Sequence, residues 1–214
     1  AQTQIFASAG AYYTTAVTLT GVTEAERVPS GVMTASMFEV LGVQPLLGRA
    51  FSVVEDQPNG PPVVVLGEGV WRARFNADPA IVGKSVQVNA GPVTVVGVMP
   101  ESFRLPEDFA SEERTRLWIP LRLGPINPDD RGSHGLNSAA RLRPGIEVSQ
   151  AQRMLDGFVA QMKRDHPQQY GPEFGVTMVT LRDEVLGKVR PALYVLLGAV
   201  ALVLLIACGN VANL

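Results

Sequence analysis

Residues 192–214 read ALYVLLGAVALVLLIACGNVANL and contain no Asp, Glu, Lys or Arg. The first 17 of them, Ala192 to Cys208, are all apolar or Gly. A membrane-spanning helix needs roughly 20 such residues, because the hydrocarbon core of a bilayer is about 30 Å thick. Apolar residues surround the whole helix instead of forming one stripe, which argues against a core helix of a soluble protein. We therefore predict a transmembrane helix that tethers a soluble domain.

The ends of the sequence indicate a piece of a longer polypeptide. The predicted helix stops at Leu214, near the far side of the bilayer, so we expect further chain after it. The N-terminal AQTQIFASAGAYY has neither the basic region nor the apolar core of a signal peptide, so we expect any export signal upstream. Lys188 and Arg190 precede the helix, and the positive-inside rule alone would place that end in the cytoplasm. Without the other flank, charge does not fix the orientation.

The overall composition excludes one class of partner and two kinds of site. The formal net charge is −2 and no run of Lys and Arg occurs, so nucleic-acid binding is not expected. The only cysteine, Cys208, lies in the apolar helix, so the soluble part has no disulfide and no thiolate metal site.

The pattern of the soluble part predicts an α+β domain. Two capping boxes, Ser36–Glu39 and Ser149–Gln152, are predicted to open helices, and Gly42 is predicted to end the first. The second helix carries an apolar stripe, Ala151, Leu155, Phe158 and Met162. Another helix is predicted over residues 68–75, with a helical turn at Asp78–Pro79. Strands are predicted twice within residues 12–28 and at 31–33, 63–66, 85–89, 93–99, 118–121, 137–142 and 174–181, with a hairpin turn at 89–92.

The titratable residues do not form a recognisable catalytic motif. His134 lies near Asp129 and Asp130, where a weak metal or general-base site is conceivable, but metal-ligand spacings are absent. We interpret His134 as a loop histidine, and His166 as a cation at a helix C-terminus.

The remaining candidates also have structural interpretations. The pairs Asp129–Asp130 and Glu112–Glu113 are interpreted as solvated loop carboxylates, and Trp71 and Trp118 as core anchors. The prediction is that the chain has no catalytic, cofactor-binding or metal-binding residues, needs no cofactor and is not an enzyme.

Several segments, taken in order over residues 31–214, resemble a known family. They are FEVLGV (38–43) continuing to PLLGR (45–49), PVVVL (62–66) with WRARF (71–75), Asp78–Pro79 with VGK (82–84), VTVVGVMP (93–100), ARLRPG (140–145) with QAQ (150–152), and LIACGNVANL (205–214). This series is similar to the MacB-like periplasmic core domain of ABC transporter permeases, in the macrolide-exporter and FtsX-like superfamily. It most resembles the duplicated permeases of acidobacteria-like genomes. Ala35-Ser-Met-Phe38 and Asn89-Ala90 depart from the family's Gly-Asn-Tyr-Phe and Asn-Gly.

The resemblance implies a two-part extracytoplasmic domain. Residues 1–48 and 136–188 would form a porter-like α/β subdomain, residues 49–135 an inserted α+β subdomain, and residues 189–214 the second transmembrane helix of the permease. The localisation implied is the bacterial inner membrane, with residues 1–190 in the periplasm. ATP would be hydrolysed in a separate domain or subunit, and the domain would couple membrane-helix motion to export or to regulation of a periplasmic partner.

The resemblance also implies partners: a second permease copy forming a dimer, an ATPase subunit, and a periplasmic adaptor with an outer-membrane channel. The duplicated type often lacks its own ATPase domain, so neither ATPase nor adaptor is assumed. Two other functions stay open from the sequence. They are a membrane-anchored extracytoplasmic binding or sensor module, and a tethered hydrolase dependent on His134.

Overall fold

The computed structural model describes residues 4–20, 24–109, 111–124, 135–187 and 190–212. The chain divides into two compact units, Ala1–Val176 and Thr177–Leu214. The division into subdomains 1–48 with 136–188, 49–135 and 189–214 is a different one, and it stays a prediction.

The first unit contains all eight described strands and three of the helices. The strands are β1 (Phe6–Thr20), β2 (Glu26–Met33), β3 (Leu47–Gly48), β4 (Val63–Gly67), β5 (Ser85–Val88), β6 (Gly91–Met99), β7 (Leu117–Pro120) and β8 (Asn137–Leu142). The helices are α1 (Ser36–Leu41), α2 (Glu68–Phe75) and α3 (Val148–Asp165), with 3-10 turns at Pro79–Ile81 and Pro106–Phe109. A mixed α+β fold is therefore confirmed.

Six of the strands close into a ring. The order β2-β7-β4-β6-β5-β1 is completed by pairing between β1 and β2. Two pairs in the ring are parallel: β2 pairs with β7, and β4 pairs with β6. The other pairs are antiparallel. Outside the ring, β8 pairs with the first half of β1, where Ala9 faces Ala140, and β3 pairs with β6. Because β1 is long, it pairs with three strands, β2, β5 and β8.

Both faces of the sheet are buried, by two apolar clusters. Val63 and Val65 of β4 belong to the cluster that includes Phe38, Phe103 and Trp118. Val64 and Leu66 belong to the other cluster, with residues of β1, β5, β6 and β7. Since successive side chains point to opposite faces, a strand buried on both faces must be apolar throughout. The prediction of such a strand at residues 63–66 is confirmed.

The predicted hairpin is confirmed, and its turn is shorter than predicted. Val88 pairs with Gly91, so Asn89 and Ala90 are the two loop residues. Their φ angles are +49° and +62°, the left-handed pair that a type I′ turn requires. The Asn89 side chain also accepts a hydrogen bond from the Thr18 amide at 2.9 Å.

Both predicted capping boxes are wrong. α1 begins after Ala35 and α3 after Glu147, and neither helix has a side-chain cap. Ser36 is already inside α1, and its hydroxyl bonds to Thr34 Oγ1 at 2.9 Å instead. The predicted end of α1 is confirmed, since Gly42 adopts φ +71° there.

The predicted apolar stripe of α3 is confirmed for Ala151 and Leu155, Met162 is half-buried, and Phe158 is wrong. Ala151 and Leu155 are buried, whereas Phe158 is 36% exposed and Val159 is buried in its place. The buried residues Ala151, Leu155 and Val159 are four positions apart. The predicted step of three, from Leu155 to Phe158, is therefore wrong.

Two further strand predictions are wrong. Residues 31–33 are the end of β2 and not a separate strand. Residues 174–180 contain no strand; they are irregular and lead into α4 (Leu181–Gly187).

The second unit contains α4 and α5 (Arg190–Ala212). Every large apolar side chain of α5 from Leu193 to Ile206 is exposed. Measured over the described residues alone, no helix combines the length and the apolar character needed to cross a membrane. The transmembrane helix stays a prediction.

Candidate functional site

An open cleft of about 690 Å³ lies in the first unit, between the ends of β2 and β4 and the segment that precedes β7. Its charged lining is balanced, with four arginines and four glutamates: Arg27, Arg104, Arg114, Arg116, Glu68, Glu101, Glu112 and Glu113. The predicted loop carboxylates Glu112 and Glu113 are exposed at this cleft. Because the charges balance, the lining favours neither an anionic nor a cationic ligand.

Some of these charges are already paired within the protein. Arg116 bonds to Glu26 at 3.0 Å, and Glu68 to Arg72 at 2.8 Å. Among the described residues, the lining contains no histidine, cysteine or serine, and a threonine is its only hydroxyl residue. The cleft therefore has the dimensions of a ligand site but does not assemble a nucleophile with a base.

The two tryptophans have the structural roles predicted for them. Trp118 is 2% exposed and packs edge-to-face on Phe103, with ring centroids 4.8 Å apart. Trp71 is half-buried, and its indole N–H donates to the Asp78 carbonyl at 2.9 Å. The indole N–H of Trp118 is buried and has no acceptor among the described residues.

The sequence-predicted histidine candidates are not brought together with other ligands. His134, Asp129 and Asp130 fall outside the described residues. His166 follows α3 and donates its backbone N–H to the Met162 carbonyl at 2.9 Å. Within the described ranges, no three His, Cys, Asp or Glu side chains are placed to hold a metal ion. The absence of catalytic, cofactor and metal residues stays a prediction.

Glu55 is the centre of a polar cluster in the first unit that sequence analysis missed. Its carboxylate is bound by both terminal nitrogens of Arg49 at 2.7 Å, and by the Ser52 amide at 2.6 Å and hydroxyl at 3.0 Å. Arg49 is the main reason that the pKa of Glu55 falls from 4.5 to about 2; burial opposes the effect and Ser52 adds to it. The signal was present, because Ser52-x-x-Glu55 has capping-box spacing.

Asp56 and Glu107 each tie distant segments together. The Asp56 carboxylate accepts from the Ala35 amide, at the start of α1, and from the Arg122 amide, both at 2.9 Å. Glu107 accepts from Thr14 at 2.8 Å and from the side-chain amide of Asn137. No local spacing could predict these contacts, since each joins segments far apart in sequence. These carboxylates therefore link loops of the first unit that are distant in sequence.

Comparisons with known proteins identify a family for most of the chain. The MacB-like periplasmic core domain family matches residues 1–158. The periplasmic region of MacB from Actinobacillus actinomycetemcomitans superposes with a TM-score of 0.53 and 19% identity, over 77% of this chain and 70% of its own. The extracellular domain of the noncanonic ABC-type transporter YknZ from Gram-positive bacteria superposes with a TM-score of 0.50 and 15% identity. The match covers 72% of this chain and 77% of the YknZ domain. No curated protein matches significantly. At these identities the two structures show a common fold.

Proposed function

Because the chain belongs to the MacB-like periplasmic core domain family, we propose that it couples the motion of membrane helices to export of a substrate, or to regulation of a periplasmic partner. The family domain is the periplasmic part of ABC transporter permeases and not a catalytic domain. The family match over residues 1–158 is the observation that carries the proposal. In this function the chain does mechanical work, and ATP is hydrolysed by a separate domain or subunit.

Strand pairing supports a mechanical role for the first unit. The proposed porter-like part, 1–48 with 136–188, contributes β1, β2, β3 and β8. The proposed inserted part, 49–135, contributes β4 to β7. β2 pairs with β7 through four residues and β1 pairs with β5, so hydrogen-bonded strands join the two parts. Asp56 and Glu107 add side-chain links across the same division. A displacement applied to one part would thus be transmitted to the other.

We also propose that α5 is the start of the second transmembrane helix of an inner-membrane permease. Residues 192–208 are uncharged and apolar, and the large side chains of α5 are exposed from Leu193 to Ile206. Transfer of such a surface into lipid is favourable, at about 25 cal/mol for each Å². The partners proposed with it are the membrane, a second permease copy, an ATPase subunit and a periplasmic adaptor with an outer-membrane channel.

A topology experiment tests whether the first unit lies in the periplasm. In the complete permease, Cys208 is replaced with Ser and Val54, which is 70% exposed, with Cys. We expect a membrane-impermeant maleimide to label the thiol introduced at position 54 in intact spheroplasts as fully as after lysis. Labelling that requires lysis would place the first unit in the cytoplasm and overturn the proposal.

A second experiment tests the coupling. A fluorophore on the same introduced thiol of the complete transporter, reconstituted with its ATPase, should change its emission when ATP is trapped by vanadate. An unchanged signal in a preparation that hydrolyses ATP would contradict mechanical coupling.

The cleft favours one second candidate, a binding or sensor module. Its volume is within the range of small-molecule sites, about 300–1,000 Å³. A sensor predicts that a small ligand raises the melting temperature saturably, and that Arg114→Ala in the cleft lowers its affinity. If the ligand binds the Arg114→Ala variant with unchanged affinity, the cleft is not its binding site.

A further inference from the structure

α4 has an apolar side and an acidic side. At about 100° for each helical residue, Leu181, Val185 and Leu186 lie within one half of the helix, and Asp183 and Glu184 lie on the other half. Leu181 is 46% exposed and Leu186 is 40% exposed. The apolar side therefore meets solvent in the structure.

The start of α4 is fixed by its own cap. The Thr180 hydroxyl accepts from the Asp183 amide at 3.0 Å and donates to the Asp183 carboxylate at 2.8 Å. The Glu184 amide also donates to the Thr180 carbonyl at 2.9 Å. A helix of seven residues is marginal in water even with a cap, because nucleation is costly. Covering its apolar side would stabilise it.

We propose that α4 lies in the membrane surface, with Leu181, Val185 and Leu186 at the boundary between lipid headgroups and acyl chains. This inference rests on the proposed function, in which α5 enters the bilayer. Interfacial helices of this kind bury their apolar side to a depth of about 5–10 Å.

Two observations favour lipid over a protein surface as the cover. First, α5 begins at Arg190, three positions after the Gly187 end of α4, so a transmembrane α5 would hold α4 close to the bilayer. Second, Arg182 lies on the apolar side, where a long cationic side chain can reach lipid phosphates while its stem stays in the apolar layer. Lys188 follows α4 in sequence and adds a cation, whereas the two acidic residues lie on the opposite side.

Spin labels placed on the complete permease test the proposal. In a Cys208→Ser background, single cysteines replace Leu186, Glu184 or Val200, and the chain is reconstituted in vesicles of phosphatidylcholine with phosphatidylglycerol. Oxygen reports contact with lipid, and a water-soluble nickel chelate reports contact with water. We expect the label at 186 to favour oxygen at a depth of about 5–10 Å, and the label at 184 to favour nickel. The label at Val200, in α5, monitors the proposed transmembrane helix independently.

The outcomes separate the inference from the function on which it rests. Oxygen contact at 200 together with equal nickel contact at 186 and 184 would overturn the interfacial helix and leave the transmembrane helix standing. Protection of 186 from both reagents would also overturn it, because the cover would then be protein. Nickel contact at 200 would overturn the transmembrane assignment, and the interfacial helix with it.

Discussion

Glu55→Gln isolates the charge of the best-connected carboxylate in the first unit. Glutamine has nearly the same shape, but it cannot accept from both Arg49 nitrogens and the Ser52 amide as a carboxylate does. A pKa lowered from 4.5 to about 2 corresponds to roughly 3.4 kcal/mol, at about 1.4 kcal/mol for each pH unit. Because the Arg49 side chain is 57% exposed, solvent screens the pair, and we expect a loss of about 2 kcal/mol at pH 7.

The pH dependence identifies the cause of that loss. Since the folded state lowers the pKa of Glu55, its contribution is complete above pH 4.5 and is lost as the pH falls toward 2. At pH 2.5 about a quarter of the difference between the two proteins should remain. Urea unfolding of the detergent-solubilised chain, followed by the fluorescence of Trp71 and Trp118, measures the free energy of unfolding of the first unit.

A matched control removes a carboxylate without such partners. Glu39 is exposed on α1, and Glu39→Gln should change the free energy of unfolding by about 0.5 kcal/mol or less. If Glu55→Gln behaves like this control, or if its effect is the same at pH 7 and pH 2.5, the reasoning about the Glu55 charge is refuted.

Two further predictions concern the backbone and use the same unfolding measurement. Gly97→Ala should destabilise the first unit by about 2–3 kcal/mol, because an added Cβ would lie 2.2 Å from the Arg49 carbonyl oxygen. Gly157→Ala in α3 is its control, because no atom lies within 4 Å of the added Cβ. The higher helix propensity of alanine should make this variant more stable by about 1 kcal/mol. Equal effects at the two sites would contradict the packing argument. Ala90→Gly should stabilise the unit by about 0.5–1 kcal/mol, since Ala90 has a φ of +62°; a loss of stability would show that the turn does not strain alanine.

Local patterns predicted the elements well where one physical effect dominated. The continuous apolar run at 63–66 suits a strand buried on both faces, and it forms one. Residues 137–142 and 68–75 have the predicted bounds. Capping boxes were placed wrongly for a specific reason. Ser36 and Ser149 match the motif but are already inside their helices. Ser52 and Glu55 form its reciprocal hydrogen bonds, and the Thr180 hydroxyl accepts from the Asp183 amide at the start of α4. The motif specifies a spacing, and only the surrounding chain decides whether a helix begins there.

The long-range contacts were beyond local reasoning. The strand ring closes where β1 pairs with β2 and β5, and β1 also pairs with β8 outside the ring. Sequence periodicity does not specify such partners. Asp56 and Glu107 are ordinary loop residues in the sequence, and their importance comes from amides and side chains that the fold brings to them. The cleft likewise joins segments from β1, β2, β4 and the approach to β7, so its lining could not be predicted.

The pairing of β1 has a consequence for the order in which the chain can fold. β1 is the first strand, yet Ala9 pairs with Ala140, and the ring closes only when Leu19 meets Val88. Folding rates fall as contacting residues become more distant in sequence. Since β8 is the last strand of the sheet, the pairing of β1 is completed late in folding. Until then its unpaired edge is open to other chains. If the domain is exported as it is made, the β2 hairpin partner is the first available protection for β1, and the arrival of β8 is the step that ends its exposure.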